Sequence, residues 1–183
     1  DGISGSRNHH ADQFLINGLA NNVAYSFSQL HYKTNGFVDN NAAEKNIYDL
    51  FVHAQISTNT SIEMDVKRSD FSLGQTFFAF DPISAIPTTI FERSHALRLS
   101  GHYLSEPGQD WIWSAAGEKR ERSVASFPDG FVFTNSAANP YTAEVQHLIT
   151  HNQVQLVAGL GYIDGREQFP DDLSVQAQSA NAY

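Results

Sequence analysis

The stretch that decides the fold is KNIYDLFVHAQISTNTSIEMDVKRSD, residues 45–70. Within residues 45–57, apolar side chains occupy alternate positions, namely Tyr48, Leu50, Val52, Ala54 and Ile56. The positions between them carry Asp49, Phe51, His53 and Gln55. After Thr58-Asn59 the alternation resumes, with Ile62, Met64 and Val66 opposed by Glu63, Asp65 and Lys67. A period of two residues is typical of a β-strand with two different faces, so this stretch predicts a long hairpin.

The same alternation recurs along the chain, and helical spacing is almost absent. It predicts strands over residues 12–19, 22–33, 45–57, 60–70, 92–104, 110–121, 138–150 and 153–163, with a ninth over 174–183. In 22–33, Val23, Tyr25 and Phe27 share one face but Leu30 and Tyr32 share the other, which requires a bulge or a different boundary. The fold class we predict is all-β, an antiparallel up-and-down meander of eight or nine long strands.

The links between these strands are alternately short and long. Short links are predicted at Ala20-Asn21, Thr58-Asn59, 105–109 and Asn152, and long loops at 34–44, 71–91, 122–137 and 164–173. In a meander, alternate links lie at the same end of the sheet, so one end has tight turns and the other has long loops. Transmembrane β-barrels show this asymmetry. We therefore predict that 1–183 is one barrel domain or a segment of one, preceded by a flexible stretch at 1–11.

Aromatic residues strengthen this interpretation. Trp111, Trp113 and Tyr103 are predicted on the apolar face near the short turns, and Tyr48, Tyr141 and Tyr162 near the long loops. Two rings of amphipathic aromatic side chains are typical of the two interfaces of a membrane. The first and last strands are predicted to meet the long-loop side, so we expect a segment of a larger barrel. A self-closed eight-stranded barrel is the alternative.

Composition excludes several classes of protein. The 183 residues include 20 acidic and 11 basic side chains, for a net charge of −9, and no cysteine. No basic stripe indicates nucleic-acid binding. Disulfides, thiolate metal sites and thiol catalysis are excluded. The pair His9-His10 with Asp12 offers too few ligands for a metal site, and no Gly-x-Ser-x-Gly motif is present. We predict neither an enzyme nor a cofactor.

Ionisable side chains on the second face of the strands are predicted to line an aqueous lumen. These are Asp49, His53, Glu63, Asp65, Lys67, Arg98, His102, Glu118, Arg120 and Glu144. Opposed charges on neighbouring strands can stiffen the wall or form a constriction that selects solutes, and the sequence leaves both open.

Phenylalanine is concentrated in two of the predicted loops. The candidates for ligand binding are Phe71, Phe77, Phe78, Phe80, Phe131 and Phe133. Exposed loops with this many aromatic residues usually pack or bind. Three explanations remain open: a lid over the barrel mouth, contact with a partner, and stacking on a carbohydrate-like ligand.

Three strings carry a resemblance to a known group of proteins. They are NGLANNVAYSFSQLHYKTNGFVDNNAAEKNIYDLFVHAQIS (17–57), TSIEMDVKRSDFSLGQTFFAFDP (60–82) and NPYTAEVQHLITHNQVQLVAGLGYIDGRE (139–167). The chain resembles a segment of large outer-membrane β-barrels of two-membraned bacteria, often fused to tetratricopeptide repeats and similar to TonB-dependent receptors. The resemblance implies contact with outer-membrane lipid, and with further barrel strands or envelope proteins.

The function expected from these features is porin- or receptor-like passage or reception of a solute, without covalent chemistry. The second hypothesis is a soluble all-β binding module, an adhesin or carbohydrate-binding domain, that uses the Phe-rich loops.

Overall fold

A computed structural model describes residues 1–75, 87–126, 129–152, 154–170 and 173–183. Within them, eleven strands form one antiparallel sheet. The strands are β1 (Gly2–Gly5), β2 (His9–Ala20), β3 (Val23–Thr34), β4 (Ala43–Ser57), β5 (Thr60–Gln75), β6 (Thr88–Glu106), β7 (Gln109–Ser126), β8 (Val132–Ala138), β9 (Tyr141–His151), β10 (Val154–Gln168) and β11 (Ser174–Ala182). The predicted all-β class and the antiparallel meander are confirmed.

The number of strands is larger than the predicted eight or nine, because two strands lie where the sequence shows no alternation. Strand β1 falls within the stretch 1–11 that is predicted to be flexible, and it pairs with residues 9–12 of β2. All of strand β8 except Ala138 falls within the predicted loop 122–137, and it pairs with the end of β7. Both are rich in small or polar residues, and backbone hydrogen bonds to a neighbouring strand hold them there.

The strands also extend beyond the residues whose apolar alternation predicts them. Strand β5 continues to Gln75 and β6 begins at Thr88, so most of the predicted loop 71–91 that is described is strand. Strand β7 continues to Ser126 and β10 to Gln168. A ladder of backbone hydrogen bonds needs no apolar side chains, so the alternation marks only part of each strand.

Strands β8 and β9 act as one interrupted strand. Strand β7 pairs with β9 along Gln109–Gly117 and with β8 along Arg120–Ala125. The interruption falls at Asn139-Pro140, where proline has no N–H for the ladder. The backbone N–H of Glu118 still donates to the carbonyl oxygen of Pro140, at 2.9 Å. The meander therefore continues across the break.

The tight turns use residues that tolerate left-handed backbone. Asn21 and Asn152 have φ of 52°, and Gly108 has φ of 82°. Asparagine and glycine adopt this conformation at lowest cost, and two-residue hairpins require it. Strand β3 pairs with both neighbours without any shift of register, so of the two explanations offered for 22–33 the bulge is wrong. Leu30 and Tyr32 instead lie on the second face, near the long-loop end.

The sheet is a single layer with almost no core of its own. Among the described residues, the buried apolar side chains are Ile90, Ala125 and Ala138. The accessible surface is 12410 Å². A compact monomer of 20.3 kDa exposes roughly 8,800 Å² by the usual scaling with mass. The strand order runs from β1 to β11, and no register pair of the described residues joins these two ends.

Across the part of the chain that the structure describes, no helix has the length and apolar character needed to cross a bilayer.

Candidate functional site: a sheet with two different faces

One face of the sheet carries three adjacent rows of apolar residues, aligned across the strands by register. The middle row is Gly18, Tyr25, Val52, Met64, Leu99, Ala115, Ala143, Tyr162 and Ala180. The row toward the tight turns is Ala20, Val23, Ala54, Ile62, Gly101, Trp113, Val145, Leu160 and Ala182. The row toward the long loops is Ile16, Phe27, Leu50, Val66, Leu97, Gly117 and Tyr141. We call these three rows the apolar band.

The apolar band is open to its surroundings, and its three rows cover about 13 Å along each strand at ~3.3 Å per residue. Leu160 is 62% exposed and Leu97 is 46% exposed. On β10 the apolar series continues at alternate positions from Val154 to Tyr162, a length of about 26 Å at ~3.3 Å per residue. A transmembrane strand needs about 9–11 residues. The apolar series of β10, which extends beyond the three rows toward the tight turns, therefore has the length of a lipid-facing strand.

Aromatic side chains lie near both edges of the band, but Tyr162, predicted near the long loops, lies in its middle row. At the tight-turn side, Tyr103 is the register partner of Trp111, whose indole stacks on His147 at 4.1 Å and 7°. Tyr141 lies in the row toward the long loops, and its ring is 5.9 Å from that of Tyr162. The stacking accounts for the outward position of His147, which breaks the apolar pattern of β9.

The opposite face, which we call the polar face, contains all ten residues predicted to line a lumen. By register and alternation they share this face: Asp49, His53, Glu63, Asp65, Lys67, Arg98, His102, Glu118, Arg120 and Glu144. Apolar residues such as Ile112 and Ile163 interrupt it. What the sequence could not show is which of the ten contact one another.

Several of these side chains form pairs between neighbouring strands. Glu63 joins His53 on β4, with Nδ1 and Oε1 3.2 Å apart, and accepts a hydrogen bond from Ser100 on β6 at 3.3 Å. His102 lies against Asp110, with Nε2 and Oδ1 2.6 Å apart. Such cross-strand pairs fix the register of the wall and place charge along the polar face.

Exposure alternates along the strands and reveals the curvature of the sheet. On β7, Trp113, Ala115 and Gly117 on the apolar face are exposed, whereas Ser114 and Ala116 on the polar face are half-buried. Within the described residues no second layer covers either face, so the difference reflects convergence of side chains on the inner side of a curved sheet. The polar face is therefore concave and the apolar band convex.

A cavity of about 850 Å³ lies beyond the apolar band, toward the long loops. Phe71, Phe91 and Phe169 contribute to its lining. Of the predicted ligand-binding residues it therefore includes Phe71. Phe131 follows the β7–β8 turn and is 66% exposed. Phe133 belongs to β8, whereas Phe77, Phe78 and Phe80 lie outside the described residues.

Phe169 was not predicted as part of a site. Its only signal in the sequence is its position in Phe-Pro directly after β10.

A charged belt that the sequence did not reveal crosses the apolar face just beyond the band. Asp70 is bound by the Nε atoms of Arg68, at 2.8 Å, and Arg93, at 2.5 Å. Hydrogen bonds from these two guanidinium groups hold the pKa of Asp70 below its usual range. Lys119 lies 2.8 Å from Glu121 and lowers the pKa of that carboxyl group in the same way. Charge thus begins abruptly where the apolar rows end.

Among the described residues, no group of three or more histidine or acidic side chains is placed to hold a metal ion. No protein-family model matches this chain, and no curated protein matches it significantly.

Proposed function

We propose that this chain is a wall segment of an outer-membrane β-barrel, porin- or receptor-like, that lets a solute pass or receives it without covalent chemistry. The observation that carries the proposal is the apolar band, whose rows are continuous across as many as nine strands on one face of the sheet. An apolar outer band between aromatic borders, with a polar interior, is the pattern of transmembrane β-barrels.

The missing core supports the same proposal. A soluble β-domain of this size buries its apolar face against a second layer, and this sheet leaves large side chains such as Leu99 and Ile62 in the open. Monomeric soluble proteins rarely expose apolar patches above a few hundred Å². In contact with lipid, this face needs no second protein layer to cover it. Barrels of this kind reside in the outer membrane of two-membraned bacteria.

The concave polar face supports the idea of a solute path. Its ion pairs and hydrogen bonds, such as His53 with Glu63 and Arg98 with Asp65, place fixed charge along the surface that would face water. Charged groups lining a passage select solutes by sign.

Labelling of single cysteines tests the proposal directly, because the chain has no cysteine of its own. Glu63→Cys and Met64→Cys are neighbours on β5 that lie on opposite faces. In phosphatidylcholine vesicles a charged, membrane-impermeant maleimide should label Glu63→Cys readily and Met64→Cys very slowly. Asp65→Cys and Val66→Cys should repeat the alternation.

Two controls separate a lipid-facing surface from a poorly reactive thiol. All four variants should label fully after denaturation in detergent. Equal labelling of the four in vesicles, or a freely soluble monodisperse chain without detergent, would contradict the proposal. The latter result would favour a soluble binding module.

A further inference from the structure

A hollow interrupts the convex face at the long-loop edge of the apolar band. It measures about 450 Å³ and has Val66, Leu97, Gly117 and Tyr141 in its lining. These four residues are register partners in one row of the band. A Cβ placed on Gly117 would meet no atom within 4 Å, so the absence of a side chain there opens the hollow. We call it the Gly117 notch.

The next row outward from the notch carries three basic residues side by side on adjacent strands. Arg68, His95 and Lys119 are register partners on β5, β6 and β7, and all three line the notch. Neighbouring strands lie about 4.8 Å apart, so these residues span roughly 10 Å along the edge of the band. The chain as a whole carries a net charge of −9, which makes this basic row a local exception.

The neighbouring acidic side chains engage only some of the hydrogen-bond donors of Arg68 and Lys119. Arg68 contacts Asp70 through Nε, which is one of the five N–H donors of a guanidinium group. Lys119 contacts Glu121 through a single N–O distance of 2.8 Å, and an ammonium group has three donors. Donors therefore remain for a further anion beside the hydrocarbon-like floor of the notch.

We propose that the Gly117 notch binds an anionic lipid, with its phosphate headgroup on Arg68, His95 and Lys119 and an acyl chain along Val66 and Leu97. The inference rests on the proposed function, because it places the apolar band in a bilayer. A lipid is favoured over free phosphate since the cationic row adjoins an apolar floor, which only an amphiphile covers. Arginine and lysine at this level hold phosphate through charge-assisted hydrogen bonds.

The test titrates phosphatidic acid into the full chain in neutral detergent and counts bound lipid by native mass spectrometry. The double variant Arg68→Gln with Lys119→Gln should bind about 30-fold more weakly, from the usual contribution of each basic residue at an anionic surface. The matched control, Lys45→Gln with Arg122→Gln, changes net charge equally on the opposite face and should bind like the wild type.

A second variant, Gly117→Leu, fills the notch without altering charge. The open space at this position accommodates the side chain, so the variant should fold and should lose most of its lipid binding. Equal binding by the wild type and by both test variants would overturn the inference. Full competition by inorganic phosphate at millimolar concentration would overturn it too, because the headgroup alone would then account for binding.

Flotation with phosphatidylcholine vesicles separates this inference from the function on which it rests. Insertion of the wild type and of all variants, combined with selective loss of phosphatidic acid binding in the test variants, supports both. Insertion without any preference for phosphatidic acid overturns the lipid site alone. Failure of the wild type to insert overturns both.

Discussion

Leu99 occupies the middle row of the apolar band, and Leu99→Arg is the sharpest perturbation of the proposed lipid-facing surface. Its register partners are Met64 and Ala115, and apolar rows lie on either side. If the band lies in hydrocarbon, this row is at the midplane. An arginine at the midplane of a transmembrane barrel destabilises the fold by about 2–4 kcal/mol, and by about 0–1 kcal/mol near the interfaces.

In water the same substitution would have little effect. Leu99 is 38% exposed, and substitutions at exposed sites usually change the free energy of unfolding by no more than about 0.5 kcal/mol. The matched control is Ser100→Arg, one residue along on the polar face, where the new side chain would lie near Glu63. A second control, Tyr103→Arg, lies on the same face at the aromatic border and should cost less than Leu99→Arg.

The assay is denaturant unfolding of the full chain in phosphatidylcholine vesicles, followed by tryptophan fluorescence. The only two tryptophans, Trp111 and Trp113, both lie on the apolar face and report on the polarity around it. We expect a decrease of about 2–4 kcal/mol for Leu99→Arg and a change within about 0.5 kcal/mol for Ser100→Arg. Equal effects of the two substitutions would refute a lipid-facing band.

Two further predictions concern the charged belt and the aromatic border. Asp70→Asn should lower the free energy of unfolding at pH 7 by at most about 1 kcal/mol, since both ion pairs are partly exposed. Because pairing lowers the folded-state pKa of Asp70, this stabilisation is present above about pH 4 and is lost as the pH falls through that lower value, so the difference between the two proteins should disappear in strong acid. Gly101→Val should cost about 1–3 kcal/mol and shift tryptophan emission, because a side chain there meets the indole of Trp113. Unchanged emission would show that the indole does not lie over Gly101.

The sequence revealed the strands wherever two unlike environments impose a period of two. In β4 and β5 the series from Tyr48 to Ala54 and from Ile62 to Val66 placed both faces correctly, and the regular pairing is interrupted by a bulge at Ile56. All ten ionisable residues predicted for one face share it for the same reason. Where both faces of a strand meet similar surroundings, no alternation of apolar and polar residues is required. Strands β1 and β8 were therefore not predicted.

The contacts within the site depended on register, which the sequence expresses only weakly. The charged belt joins Arg68 and Asp70 on β5 to Arg93 on β6, and a slip of one residue between these strands would separate Arg93 from Asp70. The Gly117 notch likewise depends on register. Its lining comes from β6 on one side of Gly117 and from the Asn139-Pro140 interruption and Tyr141 on the other. Neither feature has a local signature along the chain.

The sequence by itself determined the all-β class, the meander and the separation of an apolar from a polar face, because these follow from local alternation and turn residues. Only the tertiary structure decided the number of strands and the alignment of the apolar rows. It also decided the single-layer architecture and the meeting of basic residues beside the Gly117 notch. Those features arise from hydrogen bonding between strands distant in sequence, where backbone groups pair regardless of side chain.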